Sequence, residues 1–254
     1  MNTQTRNLIV ASFGVCVAAF SQVAAADDWQ ITYEKPGVQN STASFKLVGV
    51  ETFDKQSAGL DQSFSTNFGL ADGAIQGKYS SVQIAGADQY GGAGGVGNYA
   101  VAFPSTPYQL TLTKTPDDKG VNYFGYWLSA LDPGNTVTFY KGDKQVGVFD
   151  ASKVSASISG LKNYAGNPNE GPLKGKNAGE PYAFVNFYDT NGSFDRIAFS
   201  EVNFGGGYES DNHTVGLFNG VAPNVPEPET YALMLAGVAA IGLKTRRRRS
   251  ATQA

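Results

Sequence analysis

A short acidic and polar segment near residue 210 carries the residue types that most readily bind a metal ion. Glu209, Ser210, Asp211, Asn212 and His213 follow one another in the chain, soon after three consecutive glycines. Carboxylate and amide oxygens clustered in this way suit Ca²⁺, which takes six to eight oxygen ligands in a flexible geometry. Glu209, Asp211 and Asn212 are therefore candidate ligands of a structural Ca²⁺. The sequence favours the alternative, a solvated polar turn in which Asp and Asn side chains cap backbone groups.

Catalytic chemistry has weaker support in the sequence. His213 is the only histidine, so a zinc site with two histidines would need residues from a partner. No nucleophile motif accompanies His213 as part of a Ser-His-Asp triad. Glycoside hydrolysis would need two carboxyls about 5–5.5 Å or 6.5–9.5 Å apart, and no compact motif places such a pair on one strand face. The carboxylates considered for it are Glu209, Asp211, Asp189 and Asp195. We expect a protein without enzyme activity.

A glycine-rich segment fits the G-x-G-x-x-G pattern of dinucleotide-binding loops. It runs through Gly92-Ala93-Gly94-Gly95-Val96-Gly97. The nucleotide fingerprint requires a strand before the glycines and a helix after them. Residues 98–103 have the pattern of a strand instead, which predicts a surface loop and no nucleotide.

Aromatic side chains are the third group with binding chemistry, because their faces can stack on the C–H faces of sugar rings. Trp127 and Tyr126 are the candidates for such a sugar site. Their neighbours Phe124 and Leu128 extend an apolar run, which favours the alternative that Trp127 lies in the core.

These residues belong to a middle region that is typical of an all-β protein. The chain has 31 Gly, and short apolar runs rich in Val, Phe and Tyr alternate with Gly, Asn, Asp and Pro. No long segment with helical periodicity appears outside the termini. Strands are predicted at 44–53, 79–84, 99–103, 108–113, 123–128, 135–140, 145–149, 182–188 and 194–200, followed by a closing strand or two that include Phe204, Val215 and Leu217.

Turn residues predict which of these strands pair. Gly142 and Asp143 lie between 135–140 and 145–149, which predicts a hairpin. Asn191-Gly192 is a strong turn signal and predicts that 182–188 and 194–200 also pair. Many short strands at this spacing predict one domain over residues 27–224, a two-sheet β-sandwich with a jelly-roll-like topology.

Charge and cysteine content restrict the function of this domain. Without Arg6 and the five basic residues near the C-terminus, 13 of the 19 Lys and Arg remain, against 20 of the 22 Asp and Glu. The domain is therefore acidic, which argues against a nucleic-acid partner, because phosphate binding needs a positive surface. The only cysteine, Cys16, lies in the N-terminal segment, so the domain has no disulfide, thiolate nucleophile or Cys-ligated zinc.

Residues 1–26 have the organisation of a secretory signal peptide. Arg6 supplies the positive n-region, residues 8–20 form the apolar h-region, and Ala24-Ala25-Ala26 offers a cleavage site before Asp27. Export through the general secretion machinery is therefore expected.

The last thirty residues, 225–254, combine an exposed motif, an apolar run and a basic end. Pro226 and Pro228 favour extended backbone. Residues 231–243 would make only about 20 Å of helix, against a hydrocarbon core of about 30 Å. This hydrophobic helix can still insert in a membrane if interfacial and snorkelling side chains assist it. The basic membrane stop that should remain cytoplasmic consists of Arg246, Arg247, Arg248 and Arg249.

This order of parts resembles the PEP-CTERM sorting signal of Gram-negative bacteria that make exopolysaccharide. The resemblance implies recognition by an exosortase, a membrane peptidase that would cut near the Pro-Glu-Pro motif and release or transfer the outer domain. The motif would then be a substrate site rather than a catalytic one, formed by Val225, Pro226, Glu227 and Pro228. Similar sequences in outer domains of this class match residues 125–140, 180–187 and 209–213, which implies a fold but no activity.

We therefore expect an exported, exosortase-processed protein of the cell surface or extracellular matrix. It would be anchored transiently in the inner membrane and would associate with exopolysaccharide or biofilm without catalysing a reaction. A lectin-like carbohydrate-binding module with or without Ca²⁺ is the first alternative, and a glycan-cleaving enzyme is the second.

Overall fold

The computed structural model describes residues 28–129, 134–150, 162–202 and 206–220. Apart from four short 3₁₀ turns, the regular structure of these ranges is all β, which confirms the predicted class. The strands are β1 Trp29–Tyr33, β2 Phe45–Glu51, β3 Gly59–Thr66, β4 Gln76–Gly86, β5 Asn98–Ala102, β6 Tyr108–Lys114, β7 Tyr123–Leu128, β8 Thr136–Lys141, β9 Lys144–Asp150, β10 Ala183–Asp189, β11 Arg196–Ser200 and β12 Tyr208–Phe218.

Each of the nine strands predicted individually overlaps an observed strand, and the closing strand is β12. Two strands were not predicted. β3 pairs only with β4 and has no buried residue, so its sequence lacks the apolar alternation of a half-buried strand. β1 begins just after the predicted signal cleavage site.

Hydrogen bonds join the strands into one sheet, and every pairing between them is antiparallel. The order is β1-β10-β7-β12-β5-β4-β6-β11-β8-β9, with β2 added on β12 and β3 added on β4. The two longest strands, β4 and β12, each change pairing partner along their length. One edge of β4 pairs first with β6 and then with β5. One edge of β12 pairs first with β5 and then with β2.

The ends of this path come together, so the sheet is nearly closed. The indole nitrogen of Trp29 in β1 donates to the carbonyl oxygen of Val146 in β9 at 3.0 Å. The Trp29 ring also lies 5.1 Å from the ring of Phe149 in β9. The structure thus differs from the predicted sandwich of two separate sheets, because the shared strands β4, β5 and β12 keep the sheet continuous.

One predicted hairpin is confirmed and the other is wrong. β8 and β9 pair through the turn at Gly142. β10 pairs with β1 and β7, whereas β11 pairs with β6 and β8. The link with Asn191-Gly192 therefore crosses between distant parts of the sheet instead of closing a hairpin. Its side chains secure that crossing: Asp189 Oδ1 accepts from Gly192 N at 2.7 Å, and Asn191 Oδ1 accepts from Asp28 N at 2.9 Å.

Aromatic rings from opposite parts of the sheet fill the core. Phe124 of β7 is fully buried. Its ring centroid lies 6.0 Å from Phe139 of β8, 5.8 Å from Phe199 of β11 and 6.4 Å from Phe187 of β10. Such pairs stabilise by area burial and by ring geometry together, so the core holds the two halves of the sheet at a fixed distance.

Candidate functional site

The polar segment at residues 209–213 forms part of β12 and contains a β-bulge between Asp211 and Thr214. Asn212 has a φ of 50° there. In an unbroken strand, Asp211 and His213 would point to the same face. The extra residue instead places His213 on the core side with Ser210, while Asp211 contacts a loop on the outer side. The predicted solvated turn is therefore wrong, because the segment is a buried strand.

The oxygens predicted to bind Ca²⁺ are engaged with the protein itself. Asp211 Oδ2 accepts from Ala93 N at 2.7 Å, and its Oδ1 accepts from Asn212 N at 2.6 Å. Asn212 donates from Nδ2 to Gln39 O at 3.0 Å, and Glu209 is buried. Across the described ranges, no group of three or more His, Cys, Asp or Glu side chains could hold a metal ion. The structure therefore does not assemble Glu209, Asp211 and Asn212 into an ion site.

Asp211 instead fastens the glycine-rich loop over the outer face of β12. Burial raises the pKa of Asp211 to about 7, although the N–H donors of Ala93 and Asn212 act in the opposite direction. Asn169 Nδ2 donates to Gly92 O at 3.1 Å and secures the same loop. The predicted strand after the glycines is confirmed by β5, so the context of a dinucleotide fingerprint is missing here.

His213 lies within a buried chain of polar side chains. Its Nδ1 is 3.0 Å from the Tyr79 hydroxyl, and its Nε2 is 3.0 Å from Ser210 Oγ. The Tyr108 hydroxyl lies 3.0 Å from the same Ser210 oxygen. Burial lowers the pKa of His213 to about 3, so the ring is neutral at physiological pH.

This buried network of polar side chains contains a Ser-His pair that was not predicted from the sequence. The only local signal for the pair is the spacing Ser210-x-x-His213. A nucleophile and its base must be reachable by substrate. His213 is 0% exposed and Ser210 is 1% exposed, and aromatic rings enclose the imidazole on the core side. The geometry is that of a structural hydrogen-bond network.

The two aromatic residues predicted to stack on sugars are both buried, on opposite faces of β7. Trp127 is 0% exposed and packs with Tyr182 and Phe184 beneath Ala93 of the glycine-rich loop. Tyr126 is 1% exposed, and its hydroxyl lies 2.6 Å from the hydroxyl of Tyr208. Neither ring presents a face to solvent, so the predicted stacking site at Trp127 and Tyr126 is wrong. The core alternative for Trp127 agrees with the structure.

The remaining carboxylates considered for glycoside cleavage support backbone turns. Asp189 accepts from Gly192 as described above, and Asp195 Oδ1 accepts from Gly142 N at 3.0 Å. Asp195 Oδ2 also lies 3.3 Å from Lys141 Nζ. Asp189 is the last residue of β10 and Asp195 lies in the β10–β11 link, whereas Glu209 and Asp211 lie in β12.

The predicted signal peptide, the sorting residues 225–228, the apolar run and the membrane stop 246–249 lie outside the described residues. Among the helices that are described, none has the length and apolar character needed to cross a membrane.

Comparison with protein families identifies the C-terminal segment. The model of the PEP-CTERM protein-sorting motif matches residues 224–249. The chain carries a PEP-CTERM sorting motif. This match begins one residue before Val225 and ends at Arg249, so it spans the proline motif, the apolar run and the basic cluster. The resemblance stated from the sequence is thereby confirmed.

Other comparisons add little about the outer domain. No curated protein matches the chain. Among solved structures, the K2 cleaved adhesin domain of Lys-gingipain matches with 13% identity and a TM-score of 0.35, covering 67% of this chain and 98% of the adhesin domain. A likeness at this level supports no argument about the present chain.

Proposed function

We propose that the chain is an exosortase-processed, non-catalytic protein of the cell surface or extracellular matrix that associates with exopolysaccharide. The observation that carries this proposal is the PEP-CTERM motif at residues 224–249, which implies export and processing by the membrane enzyme exosortase. Burial of the Ser210–His213 pair, together with the structural bonds of Asp189, Asp195 and Asp211, supports the non-catalytic part.

In this proposal each part of the tail has one role. Residues 225–228 are the segment that exosortase binds and cuts. The apolar run holds the exported chain in the inner membrane for the time that processing needs, and the arginines keep its end cytoplasmic. The acidic β domain is then released or transferred to the outer surface.

The processing step is tested with the full chain in an exopolysaccharide-producing Gram-negative host, with and without its exosortase. Simultaneous Pro226→Ala, Glu227→Ala and Pro228→Ala substitutions should leave a longer chain in the inner-membrane fraction. Deletion of the exosortase should give the same result. Pro223→Ala is the matched control, because Pro223 lies just outside the matched motif, and it should be processed normally. Normal processing of the triple variant would refute the assigned role of these residues.

Association with the polysaccharide is tested separately by fractionation of the matrix. The processed protein should remain with washed matrix from a polysaccharide-producing host and should appear in the medium of a host that makes none. Equal retention in both hosts would show that the protein is held by something other than the polysaccharide.

A further inference from the structure

A polar cleft lies between two strands that follow each other in the chain but do not pair. β2 pairs with β12 and β3 pairs with β4, so the end of β2 and the end of β3 face each other across an open space. The cleft has a volume of about 540 Å³, within the range of small-ligand sites. It is narrowed on one side by the hydrogen bond from Val50 N to Phe68 O at 2.7 Å.

The two walls of this cleft are built in the same way. At the first wall, Glu51 Oε1 accepts from Phe53 N at 2.8 Å, and at the second wall Thr66 Oγ1 accepts from Phe68 N at 2.9 Å. Both phenylalanines are buried and have positive φ, 58° for Phe53 and 52° for Phe68. Bulky residues rarely adopt this conformation, and strained positions of this kind cluster at ligand clamps.

Core packing and turn bonds hold these walls in place before any ligand arrives. The Phe53 ring lies 4.9 Å from His213 and 5.3 Å from Tyr79. At the other wall, Asn67 donates to Leu70 O at 2.9 Å and accepts from Gly69 N at 3.2 Å. A cleft with fixed walls binds a ligand at a smaller ordering cost, which is the benefit of preorganisation.

The lining of the cleft indicates the chemistry of its ligand. Eight of its ten lining residues have polar or charged side chains, and none is aromatic. Within the described ranges, Lys55, Gln56 and Ser65 have no hydrogen-bond partner for their side chains. An amide, a hydroxyl and an ammonium group offer both donors and acceptors, as a ligand rich in hydroxyl groups requires.

We propose that this cleft binds a hydroxyl-rich saccharide segment through Lys55, Gln56 and Ser65. The inference rests on the proposed association with exopolysaccharide and assigns that association to a site. A peptide added along a strand edge would also need pockets for alternate side chains. Apart from a glycine, Val50 is the only residue of the lining that has no polar side chain. The cleft therefore has no set of apolar pockets for a peptide, and its lining favours a saccharide.

The test uses the processed protein purified from its exopolysaccharide-producing host and oligosaccharides made by partial acid hydrolysis of that exopolysaccharide, with isothermal titration calorimetry as the readout. Gln56→Ala should weaken binding about fivefold, the usual effect of one lost hydrogen bond. Ser65→Tyr should abolish binding, because the exposed Ser65 side chain can be enlarged into the cleft without disturbing the core. The controls Gln109→Ala and Gln109→Tyr change an exposed residue of β6 outside the lining and should bind as the unchanged protein does.

The outcomes separate this inference from the proposed function. Unchanged binding by Ser65→Tyr would overturn the cleft assignment and leave polysaccharide association intact. Failure of the unchanged protein to bind either the oligosaccharides or the intact polysaccharide would overturn both. If extended peptides bind the unchanged protein and not Ser65→Tyr, while the oligosaccharides bind neither, the cleft is a peptide site and the saccharide assignment is wrong. Equal melting temperatures of all variants establish that each is folded.

Discussion

Acidification should reduce the contribution that His213 makes to the stability of the β domain. The imidazole is enclosed by rings, with centroids of Phe53, Phe124 and Phe199 at 4.9 Å, 5.4 Å and 5.0 Å. Its two nitrogens lie against the hydroxyls of Tyr79 and Ser210. A charged imidazolium in this place would lose its hydration without gaining a carboxylate partner, so the native state resists its protonation.

The magnitude follows from linkage between protonation and folding. Burial lowers the pKa of His213 from 6.5 to about 3, whereas the unfolded chain keeps the ordinary value. Between these two values the unfolded state binds a proton that the native state does not bind, so the contribution of His213 to stability falls as the pH falls. Each pH unit removes about 1.4 kcal/mol of this contribution, and its loss from pH 6.5 to pH 4 should reach about 3 kcal/mol.

The assay is urea denaturation of the purified protein and of His213→Gln at several pH values, followed by tryptophan fluorescence, since Trp127 is buried. The substitution has its own cost at every pH, but it removes the titrating group. The stability difference between the two proteins should therefore shrink by about 3 kcal/mol between pH 6.5 and pH 4. A difference that stays constant across this range would refute a neutral, desolvated His213 in the native state.

The remaining predictions concern one further titrating group and two packing positions. Burial raises the pKa of Asp211 from 3.8 to about 7, so the native state binds the extra proton and the contribution of Asp211 to stability should fall as the pH rises from about 4 to about 7, in opposition to that of His213. Asp211→Asn should remove this trend and make acid destabilisation by His213 steeper in urea titrations; an unchanged pH profile would contradict the raised pKa. Phe124→Ala should cost about 3–5 kcal/mol, whereas Val148→Ala, at a side chain that is 45% exposed, should stay within about 0.5 kcal/mol; similar costs in calorimetry would contradict the assignment of Phe124 to the centre of the core. Gly120 and Gly142 both have positive φ, but an added Cβ would meet the Phe194 carbonyl oxygen at Gly120 and nothing within 4 Å at Gly142. Gly142→Ala should therefore cost about 1 kcal/mol and Gly120→Ala about 2 kcal/mol more, and equal melting temperatures of the two variants would contradict the close packing of Gly120 against the Phe194 carbonyl.

Local sequence patterns predicted the strands well, because alternation and turn residues act over a few residues. The predicted strand 123–128 has the same bounds as β7, and the turn at Gly142 joins the strands that it was expected to join. The turn signal of Asn191-Gly192 failed for a physical reason. A tight turn can either close a hairpin or redirect the chain across the core, and the choice depends on which distant strands are available for pairing.

The candidate binding residues were predicted less well, because their accessibility depends on what covers them. Trp127 was considered for sugar stacking, but Tyr182 and the glycine-rich loop close over its outer side. Asp211 was considered as a Ca²⁺ ligand, but Ala93, 118 positions earlier in the chain, donates to it. The polar cleft was not predicted at all. In the sequence, Lys55, Gln56 and Ser65 are ordinary surface residues, and they line a cleft only because β2 and β3 pair with other strands and leave a space between them.

The sequence by itself determined the sorting motif and the all-β class. A processing enzyme recognises a motif in a linear segment, and strand formation follows from alternation along the chain. Both therefore depend on residues that are neighbours in the sequence. Only the tertiary structure decided that the sheet is continuous, that the bulge at Asn212 turns His213 into the core, and that an open cleft separates β2 from β3. Each of these depends on contacts between residues far apart in the chain, such as Trp29 with Val146, and no local pattern specifies which distant partner a strand will meet.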